Sequence, residues 1–153
     1  MKPKRPSRPL LDTAHRVLRL VDALGPAGDV ALRLWVGYAF FVSGLTKIRS
    51  WDTTVLLFEY EYRVPVLSPV IAATLGTFGE LVLPILLVLG IAGRLAAAGL
   101  FVVNLVAVLS YPSLNDAGLF MHQAWGLALL CLVLRGPGRL SLDHLARRRL
   151  GWA

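Results

Sequence analysis

Four stretches of this chain are almost free of charge, and most of its polar residues gather between and outside them. They run from Asp29 to Ile48, Val70 to Ile91, Leu95 to Tyr111 and Leu119 to Leu134. Each is a continuous apolar run rather than an alternating one, so the pattern predicts helices and not barrel strands. Each approaches the roughly 20 residues that, at about 1.5 Å per residue, cross a hydrocarbon core of about 30 Å. The fold expected is all-α: an integral membrane four-helix bundle.

Ahead of the first run the period changes. Leu10, Ala14, Val17, Leu18, Val21 and Leu24 recur at helical spacing, while Asp12, His15, Arg16, Arg19 and Asp22 take the other positions. That pattern predicts an N-terminal amphipathic interfacial helix, with Gly25, Pro26 and Gly28 ending it and turning the chain into the bilayer. Residues 1 to 9, MKPKRPSRP, carry three prolines and four basic residues and are expected to be a disordered tail beside an anionic surface. Three divisions follow: a basic tail and interfacial helix over 1–28, the four-span domain over 29–135, and a second basic tail over 136–153. The connection after the first span holds Trp51, Phe58, Tyr60 and Tyr62, aromatics that favour the headgroup layer and predict a cap lying on the membrane.

Composition strengthens the membrane reading, since 56% of the 153 residues are hydrophobic. The net charge of +7 would suggest nucleic acid in a soluble protein, but its distribution points to a lipid bilayer. Basic residues precede the first span, occupy Arg94 between the second and third, and follow the fourth; only Lys47, Arg49 and Arg63 fall on the other side. The positive-inside rule then places both termini of a multi-pass protein in the cytoplasm, and anionic lipid headgroups account for the basic residues without a nucleic-acid partner. Arg33, one turn into the first span, is expected to snorkel to the headgroups. No small-residue cleavage site follows the first run, so a cleaved signal peptide is not expected. Cys131, the single cysteine, admits no intrachain disulfide and reads as an apolar filler.

The chemistry is concentrated in a few intramembrane polar residues. Glu80 lies at the middle of the second apolar run, where a charge costs about 2.5–3.5 kcal/mol unless it finds a partner, water or a proton. Ala72, Gly76 and Glu80 share a helix face whose small residues allow close approach to a neighbour. Ser43 and Lys47 share a face of the first span, with Gly37 and Gly44 nearby; Asn104 is the polar residue of the third; His122 and Gln123 stand in the fourth. Alternating span direction puts Ser43, Lys47, Asn104, His122 and Gln123 in the outward half, with Glu80 just below. With the longer span boundaries Lys47 and Glu80 differ in depth by about 6 Å, and with the shorter ones by more than about 10 Å. Glu80, Lys47, Asn104, His122, Ser43 and Gln123 form the candidate ligand-binding set. Three readings of it stay open: a buried pair fixing helix registry, a site for a small polar headgroup such as a quinone carbonyl, or proton or ion passage. Pro84, one turn beyond Glu80, is expected to kink the second span.

No catalytic set and no metal set emerge. No cluster of His, Cys and carboxylates has ligand spacing, no glycine-rich loop follows a strand, no Ser/His/Asp set is suggested, and His122 is the sole intramembrane histidine for a haem. No cofactor is expected within the chain itself, so electrons for any redox role must come from partners or a bound quinone.

The first-span RLWVGYAFFVSGLTKI, the YRVP before the second span, the GELVLPILLVLGIAGR around Glu80 and the tail GPGRLSLD together resemble the DoxX family of small four-span membrane proteins. They cover most of the chain from Ala31 to Asp143. The resemblance implies a four-helix membrane fold, an association with quinone-linked redox systems, and family positions for Lys47 and Glu80. The function expected is a non-autonomous subunit or accessory of such a system, working with redox protein partners or as a homo-oligomer and not an enzyme alone. The alternatives are a membrane anchor or assembly scaffold without ligand and, third, a small-solute or proton transporter.

Overall fold

The computed structural model describes residues 9–151, with side chains from Thr13 onward. The proline-rich tail lies outside the described residues apart from Pro9, which opens the first helix. Six helices follow in order: α1 Pro9–Arg49, α2 Trp51–Tyr60, α3 Pro69–Leu89, α4 Gly93–Ser110, α5 Asp116–Arg135 and α6 Leu142–Arg149. Among the described residues there is no strand. Helices α3, α4 and α5 are each long and apolar enough to cross a membrane, and they match the second, third and fourth apolar runs to within a few residues. The first expected span is the C-terminal half of α1, whose Asp29, Arg33 and Lys47 keep it below the same measure of length and composition.

The long α3, α4 and α5 pack successively against one another in an up-and-down bundle, and α1 closes it by packing on α3 and, more lightly, on α5. Val36 and Phe40 of α1, Leu87 of α3, Leu100 of α4 and Leu129 of α5 form one buried core. Large apolar side chains such as Leu75, Phe78, Leu95, Val102 and Leu127 stand outward on the other faces, which suits a bundle solvated by lipid.

Small residues set the α1–α3 approach. A Cβ on Gly37 would lie 2.8 Å from Val88, and one on Gly44 2.9 Å from Leu81 and 3.1 Å from the Cβ of Glu80. These pairings fix an antiparallel register in which α1 stops roughly two turns short of the start of α3. The short α2 lies over that gap, with Phe58 against Ala72 and Ala73. Its placement is secured at the junction, where Thr54 Oγ1 donates to the carbonyls of Lys47 and Ser50 at 3.0 and 3.1 Å.

The chain departs from two expectations at the other end of the bundle. Gly25, Pro26 and Gly28 do not break the helix: α1 is continuous for 41 residues through Pro26. The bond that Pro26 cannot donate belongs to the carbonyl of Asp22, an exposed residue, so water replaces it at little cost. Arg33 does not snorkel. It is 1% exposed, donating to the carbonyls of Asp29, Val88 and Leu140 at 3.3, 3.4 and 2.5 Å. What traps it is the segment after α5, which folds back across the helix ends: Asp143 N donates to Gly90 O, and Gly90 takes φ 68° where a Cβ would meet Ser141 at 2.4 Å. The C-terminal stretch is therefore an ordered clasp through α6. Helix α3 likewise runs unbroken through buried Pro84.

Candidate functional site

Lys47 and Glu80 meet directly. Lys47 Nζ lies 2.5 Å from Glu80 Oε2 and also donates to Ser43 Oγ at 2.9 Å, one turn back on the same helix. The α1–α3 register explains the reach: Gly44 sits level with Glu80, and Lys47 is one turn further along, so its stem folds back to the carboxylate. Both side chains are largely withdrawn, 17% and 10% exposed. Near the bundle centre such a pair removes the cost of an isolated charge.

The pair is not sealed in packing. It forms part of the wall of a cavity of about 180 Å³ between α3 and α4, roofed by Phe58 and Tyr62 and bounded along α3 by Ala72 and Gly76. The Ala72–Gly76–Glu80 face, expected to meet a neighbouring helix, therefore faces this space; a Cβ on Gly76 would touch only the edge of Phe58 at 3.7 Å. Its outer wall is Leu75, Val102 and Val106, all lipid-facing and exposed, so the cavity opens sideways between α3 and α4.

The roof is an aromatic stack. Tyr62 lies between Phe58 and Tyr111, with ring centroids 4.6 and 4.9 Å apart and planes 15° and 24° from parallel. Arg63 N donates to Ser110 O at 2.7 Å and Tyr111 OH to Glu61 Oε2 at 3.1 Å, tying the connection to the end of α4. Burial, reinforced by Glu80, Tyr111 and Glu61, holds the Tyr62 phenol above its ordinary value of 10.0, so it stays a neutral hydroxyl. The aromatics of the connection after the first span stood out in the sequence, but Tyr62 as the roof of a site did not: that depends on α1 ending early, which no local pattern announces.

Of the six candidate residues, Ser43, Lys47 and Glu80 form this one network; the others do not line the cavity. Asn104 Nδ2 donates to the carbonyl of His122 at 2.9 Å and Asn104 Oδ1 lies 2.8 Å from His122 Nδ1, a reciprocal link between α4 and α5. Gly126 makes room for it, since a Cβ there would sit 3.2 Å from Asn104 Nδ2. Gln123 is exposed on the groove outside this link. His122 leans on Trp125, which in turn contacts Phe40 of α1. Among the described residues, Thr77 Oγ1 and Trp125 Nε1 are buried polar atoms without a hydrogen-bond partner, and no group of His, Cys and carboxylates could hold a metal.

A family model described as DoxX matches residues 28–113, which include Lys47, Glu80 and the whole roof of the cavity. The chain is 30% identical to an uncharacterized protein of Haemophilus influenzae over 126 residues, 76% of this chain and 82% of that one. It is also 30% identical to an uncharacterized membrane protein of Mycobacterium tuberculosis over 147 residues, 86% of this chain and 88% of the relative. No solved structure matches.

Proposed function

The chain belongs to the DoxX family of membrane proteins, and on that premise we propose that its cavity takes the headgroup of a quinone, making the protein a non-autonomous component of a quinone-linked redox system. One observation carries the reading: the Lys47–Glu80 pair stands in the wall of a mainly apolar cavity that opens toward lipid. An ammonium has three N–H donors. Two are engaged, by Ser43 and Glu80, which leaves one for a carbonyl oxygen in the cavity. The carboxylate of Glu80 keeps acceptor capacity for the hydroxyl of the reduced form. A dry cavity of about 150 Å³ holds a benzene, so 180 Å³ suits a single six-membered ring whose isoprenoid tail stays among the lipids. Phe58 and Tyr62 supply flat faces for that ring.

The protein's part is binding, orientation and a carboxylate at the polar edge of the ring; electrons reach the ring from partner proteins. The basic residues at the Arg33, Arg94 and Arg135 end support a bacterial plasma-membrane setting with both termini cytoplasmic and the cavity in the outward half. Quinone should be enriched over bulk lipid when purified protein is extracted, and Glu80→Gln should abolish the enrichment. An unenriched extract from correctly folded protein contradicts the reading.

A second reading is favoured by the direct contact of Lys47 with Glu80 across the α1–α3 interface: the pair fixes the α1–α3 register of a scaffold without ligand. It expects variants of the pair to fail only in accumulation.

A further inference from the structure

The end of the bundle opposite the cavity gathers positive charge that the quinone reading does not use. Arg94 is the second residue of α4, Arg135 closes α5, Arg139 lies in the connection beyond and Arg147 is on α6; with His144 they line a separate cavity of about 230 Å³. The start of α4 and the stretch from the end of α5 through α6 bring these guanidinium groups to one cavity although like charges repel.

The backbone is built for this convergence. Gly136 and Gly138 take φ of 86° and 73°, and a Cβ on Gly136 would come within 3.0 Å of Arg94 Nε. Pro137 seats against Gly93, where a Cβ would lie 2.7 Å away. Asp143 anchors α6 by accepting from Ala92 N and Gly93 N at 2.9 and 3.0 Å, so the N-terminus of α4 is already occupied and the charge of Asp143 is engaged there. Asp29 pairs with Arg135, at 3.4 Å, and its carboxylate lies beside Gly138 at the edge of this cavity. Among the described residues, Arg94, Arg139 and Arg147 have no carboxylate partner.

The surroundings are amphiphilic. Leu95 and Leu134, adjacent in sequence to Arg94 and Arg135, are 75% and 70% exposed on the membrane-facing surface of α4 and α5. Charged forks at a helix end beside bare apolar surface match a molecule with an anionic head and hydrocarbon tails. Planar guanidinium groups pair with phosphate oxygens in a way that a zwitterionic headgroup, carrying its own cation, satisfies poorly. Basic pockets of this kind between helix ends suit anionic lipid phosphates.

We propose that this cavity binds the phosphate of an anionic phospholipid, held by Arg94, Arg139 and Arg147 with its acyl chains along Leu95 and Leu134. The bound phosphate supplies the missing counter-charge and bridges α4, the α5–α6 connection and α6. A free phosphate ion offers the same oxygens without the tails, and the test separates the two.

Full-length protein in phosphatidylcholine nanodiscs is titrated with phosphatidylglycerol, and retained lipid is counted by native mass spectrometry. Wild type should retain phosphatidylglycerol over phosphatidylcholine, and the triple R94Q/R139Q/R147Q should lose that preference by about tenfold or more. The control triple R63Q/R148Q/R149Q removes the same net charge elsewhere and should behave as wild type. Equal losses in both triples, or no preference in wild type, overturn the site. Saturable binding of inorganic phosphate that leaves lipid retention unchanged overturns the lipid assignment. If the glutamine triple does not accumulate, R94K/R139K/R147K keeps the charge without the planar fork. It should still weaken retention several-fold, and unchanged retention overturns the proposed contacts.

Discussion

Helix α1 withdraws two cations from solvent, Arg33 toward one end of the bundle and Lys47 beside mid-helix Glu80 of α3, and the two are treated differently. Arg33 is enclosed by backbone carbonyls from three separate segments, those of Asp29, Val88 and Leu140, in tight packing. Lys47 is held by two side chains, Ser43 and Glu80, at the wall of a cavity. Carbonyls cannot change protonation or turn away without unfolding a helix end, so the Arg33 end works as a fixed clasp. A carboxylate beside open space can exchange partners, so the Lys47 contact can respond to a ligand. The same device, a withdrawn α1 cation, thus gives one contact fixed in packing and one beside open space.

The comparison breaks first at the clasp. Arg33→Met removes the charge and leaves the inward carbonyls of Val88 and Leu140 unmet, and is expected to cost about 3–5 kcal/mol. The thermal midpoint of detergent-solubilised protein should fall accordingly, and α6 should become accessible to protease. A near-wild-type midpoint would mean that the clasp is not what holds this end.

Glu80→Gln should cost less, about 2 kcal/mol, because an amide still accepts from Lys47 while the charge is lost. Adding Lys47→Met should restore much of that loss in a double-mutant comparison, since the uncompensated cation is then gone. A larger effect from Glu80→Gln than from Arg33→Met would invert the contrast between the two contacts.

The roof comes next. Tyr62→Ala removes the middle ring of the Phe58–Tyr62–Tyr111 stack and should cost about 1 kcal/mol while opening the cavity to the outer surface. Tyr62 also gives the smallest effect, a pH dependence. Its phenol is raised when folded, so its neutral form is favoured by the fold: that contribution is complete below the ordinary value of 10.0 and is lost as pH rises through the higher folded value. Alkaline melting curves of wild type should soften above about pH 10, and Tyr62→Phe should lessen that softening.

Much of the bundle was legible because lipid imposes it: apolar runs of the right length left few choices for α3, α4 and α5. Glu80 and Lys47 could be paired on paper only within a range of depths, because the pairing depends on where α1 ends relative to α3. That register comes from Gly37 and Gly44 meeting particular side chains across the interface. The fate of Arg33 was hidden for a similar reason. Its closest acceptor, the carbonyl of Leu140, lies 107 residues away in a stretch that composition alone makes look like a solvated tail. The break expected at Gly25–Pro26–Gly28 shows the opposite failure, a strong local signal outweighed where an exposed carbonyl loses little. Asn104 and His122 shared the polar half with Lys47, yet their bonds turn them toward each other rather than into the cavity.

The most direct measurement is the thermal midpoint of purified protein titrated with a short-chain quinone, for wild type and for the double variant Lys47→Met, Glu80→Leu. Replacing a buried pair by apolar residues of similar size is often neutral for stability, so both proteins should melt alike without ligand. Quinone should then raise the midpoint of wild type in a concentration-dependent way and leave the double variant unmoved. Equal shifts in both, or no shift in wild type, would contradict a quinone site at the Lys47–Glu80 wall.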